Sequence, residues 1–267
     1  MPDEELTTLS GDLPPINLLL ETGQDGGALL YSVNPPGLAG WGASVETAMA
    51  AAADRGWEEL AAMAIAADRR WADLRRTIGA TGPGPEFVIR ETVQRRGAVA
   101  NGMTTATFQA DLTPLDRAAV QAALALLERS RARLLSIRGI LLEQPDSGQA
   151  ALAFRSLPRR KTIAEQLKHI AAAERWYIGK ISPGLPPLPA TRDIWQRLET
   201  VRGLVVARLA ALDGPALNAA TKINGERWTP RKVLRRLMYH EQFHLDTLRR
   251  DLSLAGAPLR DEQPYLS

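Results

Sequence analysis

The chain has 267 residues, 45% hydrophobic and 24% charged, a composition that suits one large or two modest globular domains and excludes disorder as the main state. It has no cysteine, which excludes disulfides, a thiolate nucleophile and any cysteine-ligated zinc or iron–sulfur site. The net charge of +3 hides an asymmetry: residues 1–113 carry 8 Arg and no Lys against 15 carboxylates (−7), whereas residues 114–267 carry 25 basic and 15 acidic side chains (+10). Opposite signs predict two parts that attract each other. The basic residues are mostly arginines scattered along amphipathic helices, a solvated face, so nucleic acid is not an expected partner. The acidic start MPDEELTTLSGD does not read as a signal peptide, and no run nears the roughly 18 apolar residues of a spanning helix. A cytoplasmic protein without a membrane partner is the expectation.

The first third, residues 1–112, reads as a small α+β domain, a β-sheet with one long helix. Ile16–Leu20 and Ala28–Val33 are short apolar strands around the turn-forming ETGQDGG. After the turn at Asn34-Pro35-Pro36-Gly37, a helix is predicted over Ala43–Ile78, with Ser44 as N-cap and Trp57, Leu60, Ala64, Trp71 and Leu74 as its apolar stripe. TGPGPE stops it. Two further strands, Phe87–Val93 and Met103–Phe108, flank a turn at Gly97–Gly102, giving β-β-α-β-β.

From residue 113 to 267 the pattern is all-α. Thr113-Pro114 is a cap followed by proline at the first helical position and opens a helix to about Leu142. Thr162 and Glu165 form a capping box for a second helix, to about Ile181. A proline-rich connector, SPGLPPLPA, leads to a third helix over about Thr191–Leu212. Thr229-Pro230 opens a fourth, ending near Leu254. Four helices of some 20 residues, joined by short or proline-rich loops, predict a four-helix bundle.

The chain's only three histidines lie in this half: His169 in the second helix, His240 and His244 in the fourth. Residues four apart share one helix face, so His240 and His244 can converge on one ion, and His169 can complete the set from a facing helix. Three neutral imidazoles suit a borderline divalent metal, with zinc or nickel first and iron, cobalt or manganese as further occupants. Three protein ligands leave a position for water or substrate, the catalytic pattern. Glu241 and Glu174 are the odd charges in the apolar stripes of the fourth and second helices. Each can serve as an acceptor behind an imidazole or as a general base, or can pair with an arginine such as Arg235 or Arg175.

Leu167-Lys168-His169 with Glu174 and Trp176, and Trp228-Thr229-Pro230 followed by His240-Glu241-Gln242-Phe243-His244, resemble the second- and fourth-helix motifs of the DinB-like superfamily over about residues 114–255. The resemblance implies a four-helix bundle with a crossover between its second and third helices, three histidine ligands and frequent homodimers. It includes metal-dependent thiol S-transferases and a mycothiol-dependent isomerase, alongside many members of unknown reaction. Tyr31-Ser32-Val33, Pro36-Gly37-Leu38, Gly42-Ala43-Ser44 and Glu46-Thr47-Ala48 are similar to the HicB-like antitoxin fold over about residues 15–78, with leucine where that family's Pro-Gly-Cys has cysteine. This implies a partial ribonuclease-H-like sheet used for binding or dimerisation.

The leading expectation is a metal-dependent transferase or hydrolase acting on a small molecule such as a low-molecular-weight thiol. His169, His240 and His244 hold the ion, Glu241 or Glu174 handles protons, and Trp176, Tyr177 and Tyr239 line the pocket. The alternative is a non-catalytic binding or dimerisation module stapled by the metal.

Overall fold

The computed structural model describes residues 15–34, 36–53, 86–99, 106–143, 162–188 and 190–254. Its N-terminal part is a four-stranded mixed sheet formed by β1 (Ile16–Thr22), β2 (Ala28–Asn34), β3 (Ala39–Gly42) and β4 (Phe87–Gln94), in the order β3-β2-β1-β4. The first three strands are antiparallel neighbours, and β4 runs parallel to β1. A parallel neighbour needs a crossover. Helix α1 (residues 45–53) begins it, capped by the Ser44 hydroxyl, which accepts from the Thr47 N–H at 3.2 Å. The predicted continuation of this helix to Ile78 lies outside the described residues.

The sheet differs from the sequence reading at two places. β3 was not anticipated, and the predicted strand Met103–Phe108 is absent where it is described. Residues 106–108 are irregular and lead into a 3-10 turn at Ala110–Leu112. β3 escaped notice because it is four residues long with two glycines. Gly40 is there for closeness: a Cβ on it would collide with the Ala48 carbonyl of α1.

The near-continuous apolar character of β1 and β2 has a plain cause, in that both faces of the sheet are covered. Alternation sends Ile16, Leu18, Leu20 and Leu30 to the α1 side, with Ala48 and Ala52. Leu19, Leu29 and Tyr31 point the other way, into a second core with Phe108, Tyr239 and Phe243.

Among the described residues, four long helices follow, α2 (Arg117–Glu143), α3 (Ile163–Ile178), α4 (Ile194–Ala210) and α5 (Pro230–Leu254), sharing one apolar core. α2 packs on α4 and α5, and α3 packs on the same two. The Thr162–Glu165 capping box forms as read. Thr229 caps α5, its Oγ1 accepting from Lys232 N–H at 3.1 Å. The start of α2 is later than Thr113-Pro114 suggests. The cap is Asp116, whose carboxylate accepts from the Ala119 N–H at 2.7 Å, while the Thr113 hydroxyl donates backwards to the Ala110 carbonyl. A hairpin of β5 (Thr221–Ile223) and β6 (Glu226–Trp228) precedes α5. Its turn is Asn224-Gly225, both at positive φ (51° and 82°), the pairing that two-residue hairpins favour.

The two parts touch, and aromatic surface dominates the contact. Tyr239 of α5 meets Tyr31 and Trp41 edge-on, with ring centroids 5.2 and 5.9 Å apart. Arg235 adds a two-pronged ion pair to Asp111 at 2.8 and 2.7 Å, and its guanidinium lies 4.5 Å from the Tyr31 ring centre and 4.8 Å from that of Phe108. Helix α5 is therefore buried on nearly all sides. Phe108 is fully buried at this junction. Phe108→Ala should cost about 3–5 kcal/mol in urea unfolding, the usual cost of emptying a buried aromatic site; a loss below about 1 kcal/mol would show that the junction contributes little to stability.

Candidate metal centre

His169 projects from the middle of α3, and His240 and His244 from successive turns of α5. The i, i+4 spacing stacks the latter two rings with centroids 4.5 Å apart. The packing of α3 on α5 brings His169 to 5.0 Å from His240 and 4.9 Å from His244, ring centre to ring centre. His240 Nε2 and His169 Nε2 are 3.2 Å apart, and one nitrogen from each of the three rings lies within 4.8 Å of the others. Two nitrogens bound tetrahedrally to one ion at 2.0–2.1 Å are separated by about 3.3 Å. The donor set thus fits a divalent metal in chemistry, and the His169–His240 pair fits it in spacing. His240 and His244 are buried and His169 is partly exposed, so the cluster faces outward at the α3 side.

Tyr177, one of the expected pocket residues, does lie here. Its ring meets His240 edge-on at 5.6 Å, and its hydroxyl accepts from Arg236 Nη2 at 3.2 Å. Trp176 is further out, 49% exposed, edge-on to Trp228 at 5.2 Å and covered by Lys180 Nζ at 4.0 Å. Tyr239 points elsewhere. It is one residue, or about 100° of helix rotation, from His240, and packs against the sheet.

Glu174 and Glu241 are engaged by arginines, and the arginines are Arg131 of α2 and Arg202 of α4. Neither Arg235 nor Arg175 takes that part. Arg131 donates from Nε to Glu241 Oε1 and from Nη2 to Glu174 Oε1, both at 2.7 Å. Arg202 Nη2 donates to Glu241 Oε2 at 2.6 Å and also to Glu174 Oε1. Arg131 Nη1 reaches the Leu198 carbonyl of α4 at 2.6 Å, and Arg202 Nη1 reaches that of Leu127 on α2. Each helix contributes one charge to a closed, buried ring of two cations and two anions. Burial pushes the Glu241 carboxyl up, but Arg202 and Arg131 together outweigh it and hold the group below the ordinary carboxylate value. Burial also disfavours charged Arg202, and Glu241 and Glu174 more than restore it. A carboxylate held ionised in this way is a poor proton carrier near neutral pH.

The sequence did contain a signal for the two arginines. Arg131 falls in the stripe Leu127, Leu134, and Arg202 in the stripe Leu198, Val205, Leu209, each a lone cation among core positions. Trp228, which borders Tyr177, belongs to the Trp228-Thr229-Pro230 motif, whereas Arg236, which also borders it, carries no comparable sequence mark.

Residues 126–248 match the family model of the DinB superfamily. The chain matches no curated protein and no solved structure.

Glu241→Ala leaves two guanidiniums buried over one carboxylate and should destabilise the protein by about 3–5 kcal/mol in urea unfolding. The stabilising effect of ionised Glu241 is present above the unfolded carboxyl value of about 4.3 and is lost as pH falls through the lower folded value. The stability gap between wild type and Glu241→Gln should therefore shrink as the pH drops below about 4. A gap that stays constant as the pH falls through that range would contradict the pairing.

Proposed function

With residues 126–248 matching the family model of the DinB superfamily, we propose that this chain is a metal-dependent enzyme of the thiol S-transferase or hydrolase type, built on a four-helix bundle. The observation that carries this reading is the convergence of His169, His240 and His244, joined by no fourth histidine or carboxylate among the described residues. A divalent ion held there by His169, His240 and His244, zinc or nickel before iron, cobalt or manganese, would supply Lewis acidity toward water or a thiol near neutral pH.

The chain's own residues hold and shape this site. The three imidazoles bind through ring nitrogens from two helices. Tyr177, fixed by Arg236, walls the His240 side. Trp176, backed by the buried Trp228, offers an apolar surface at the rim, and Lys180 over Trp176 is a cation suited to a carboxylate of a low-molecular-weight thiol. Glu241 and Glu174 act here as positioning residues: by gripping Arg131 and Arg202 they set the register in which His169 meets His240 and His244. Proton transfer falls to bound water or to groups on the substrate.

We assign residues 1–112 to a HicB-like module for binding or dimerisation, and residues 113–267 to the metal-binding part. Support comes from the strand order β3-β2-β1-β4 with α1 opening the crossover. A homodimer is the expected assembly. The non-catalytic alternative rests on the same histidines, because an ion bridging α3 and α5 would staple them whatever its open position does.

Purified wild type should carry about one ion per chain, and the His240→Ala, His244→Ala double variant less than about a tenth of that by elemental analysis; negligible metal in both removes the site. In the cobalt-loaded protein, a small thiol entering the open position should produce a sulfur-to-cobalt charge-transfer band. An unchanged spectrum at saturating thiol, with metal bound, favours the staple.

A further inference from the structure

A cavity lies between the sheet and the helices, away from the histidines. Its volume is about 460 Å³, within the range of small-molecule sites, and its walls come from β2, the Gly37–Ala39 segment, the start of α2 and one face of α5. Most of the wall is apolar: Leu19, Leu38, Leu115, Leu234 and Met238 are all buried. It approaches solvent beside Asp116 and Ala118, which are exposed.

Two wall residues carry buried donors with no hydrogen-bond partner. Arg235 is 8% exposed and spends its Nε and Nη2 on Asp111, leaving Nη1 on the opposite edge unsatisfied. Tyr239 is 2% exposed, and its hydroxyl is likewise unsatisfied. A phenol hydroxyl has one proton to donate. An unsatisfied buried donor costs about 1–3 kcal/mol, which an incoming acceptor would recover. The ionised wall residues are Arg231, Arg235, Asp111 and Asp116, two of each sign. Such a wall provides no net charge to compensate a buried anion, and its spare groups are donors, which do not suit a cation.

We propose that this cavity is a binding site for an apolar small molecule bearing one uncharged hydrogen-bond acceptor, such as a ketone or amide carbonyl, received by Tyr239 Oη and Arg235 Nη1. The site is separate from the metal centre, on the opposite side of α5, and it exists only where the N-terminal sheet meets the helices.

The test uses the full-length protein and three probes of one shape: benzophenone, with a neutral carbonyl; diphenylmethane, with no acceptor; and diphenylacetate, an anion. The Met238 methyl, isotope-labelled and followed by NMR, lies in the wall of this cavity and reports its occupancy. Benzophenone should shift that signal with a Kd at least about tenfold below either companion, and Tyr239→Phe, which keeps the ring and removes the hydroxyl, should erase most of the difference. Ala119→Leu, which narrows the cavity from α2, should weaken all three. The proposal is overturned if benzophenone leaves Met238 unmoved up to its solubility, if diphenylmethane binds equally well, if diphenylacetate binds tightest, or if Tyr239→Phe has no effect in a folded protein.

Discussion

Two arginines and two glutamates, buried together in the middle of four helices, constrain most of what this protein can be. Arg131, Glu174, Arg202 and Glu241 come one from each helix and close a ring in which every charge meets two of the opposite sign. Such a ring is a weak source of net stability, because desolvating four ions offsets much of their attraction. Its effect is on geometry. A helix displaced by one turn or rotated by one residue would leave an ion buried without its partner, and that is far costlier than losing an apolar contact. The ring therefore selects one register among the many that an apolar stripe alone would tolerate.

The histidine cluster depends on that register. His240 and His244 sit beside Glu241 on α5, and His169 is five residues before Glu174 on α3. Where the ring fixes the two carboxylates, it also fixes how far apart the imidazole nitrogens stand, and 3.2 Å between His169 and His240 is a separation one ion can span. The same four helices could share their apolar core with the histidines several ångströms further apart. Charge pairing in the core and the histidine cluster at its margin are in this sense one design, with the glutamates serving position.

Helix α5 carries three different environments around its circumference. Glu241, Leu245 and Leu248 face the helical core, His240 and His244 face α3, and Tyr239 and Phe243 face the sheet. This explains why α5 is buried on almost every side despite six basic residues in its length. Arg235 and Lys232 are accommodated by Asp111 and Glu226 together with aromatic faces, and burial pulls the Lys232 pKa down against its pairing with Glu226. The overall charge asymmetry predicted that the two parts would attract. The contact found is chiefly aromatic, with Arg235–Asp111 as the charged link seen across it.

Much of this was legible in the sequence, for local reasons. The capping box at Thr162, the Thr229-Pro230 start, the two apolar strands and the helical period are short-range patterns, and each yields the element it encodes. The three histidines were legible as a set because the chain has no others. β3, the Asn224-Gly225 hairpin and the Asp116 cap were also encoded locally but by weaker or competing signals, with Thr113-Pro114 outranking Asp116 on pattern alone. The identity of long-range partners was decided only in the folded molecule. Whether Glu241 meets Arg131 or Arg235, and whether Tyr239 faces the histidines or the sheet, turns on about 100° of helix rotation and on which helices become neighbours. A one-dimensional pattern can mark a charge as misplaced in an apolar stripe, but the partner that makes it tolerable lies some 30 to 110 residues away, and only packing brings it within 3 Å.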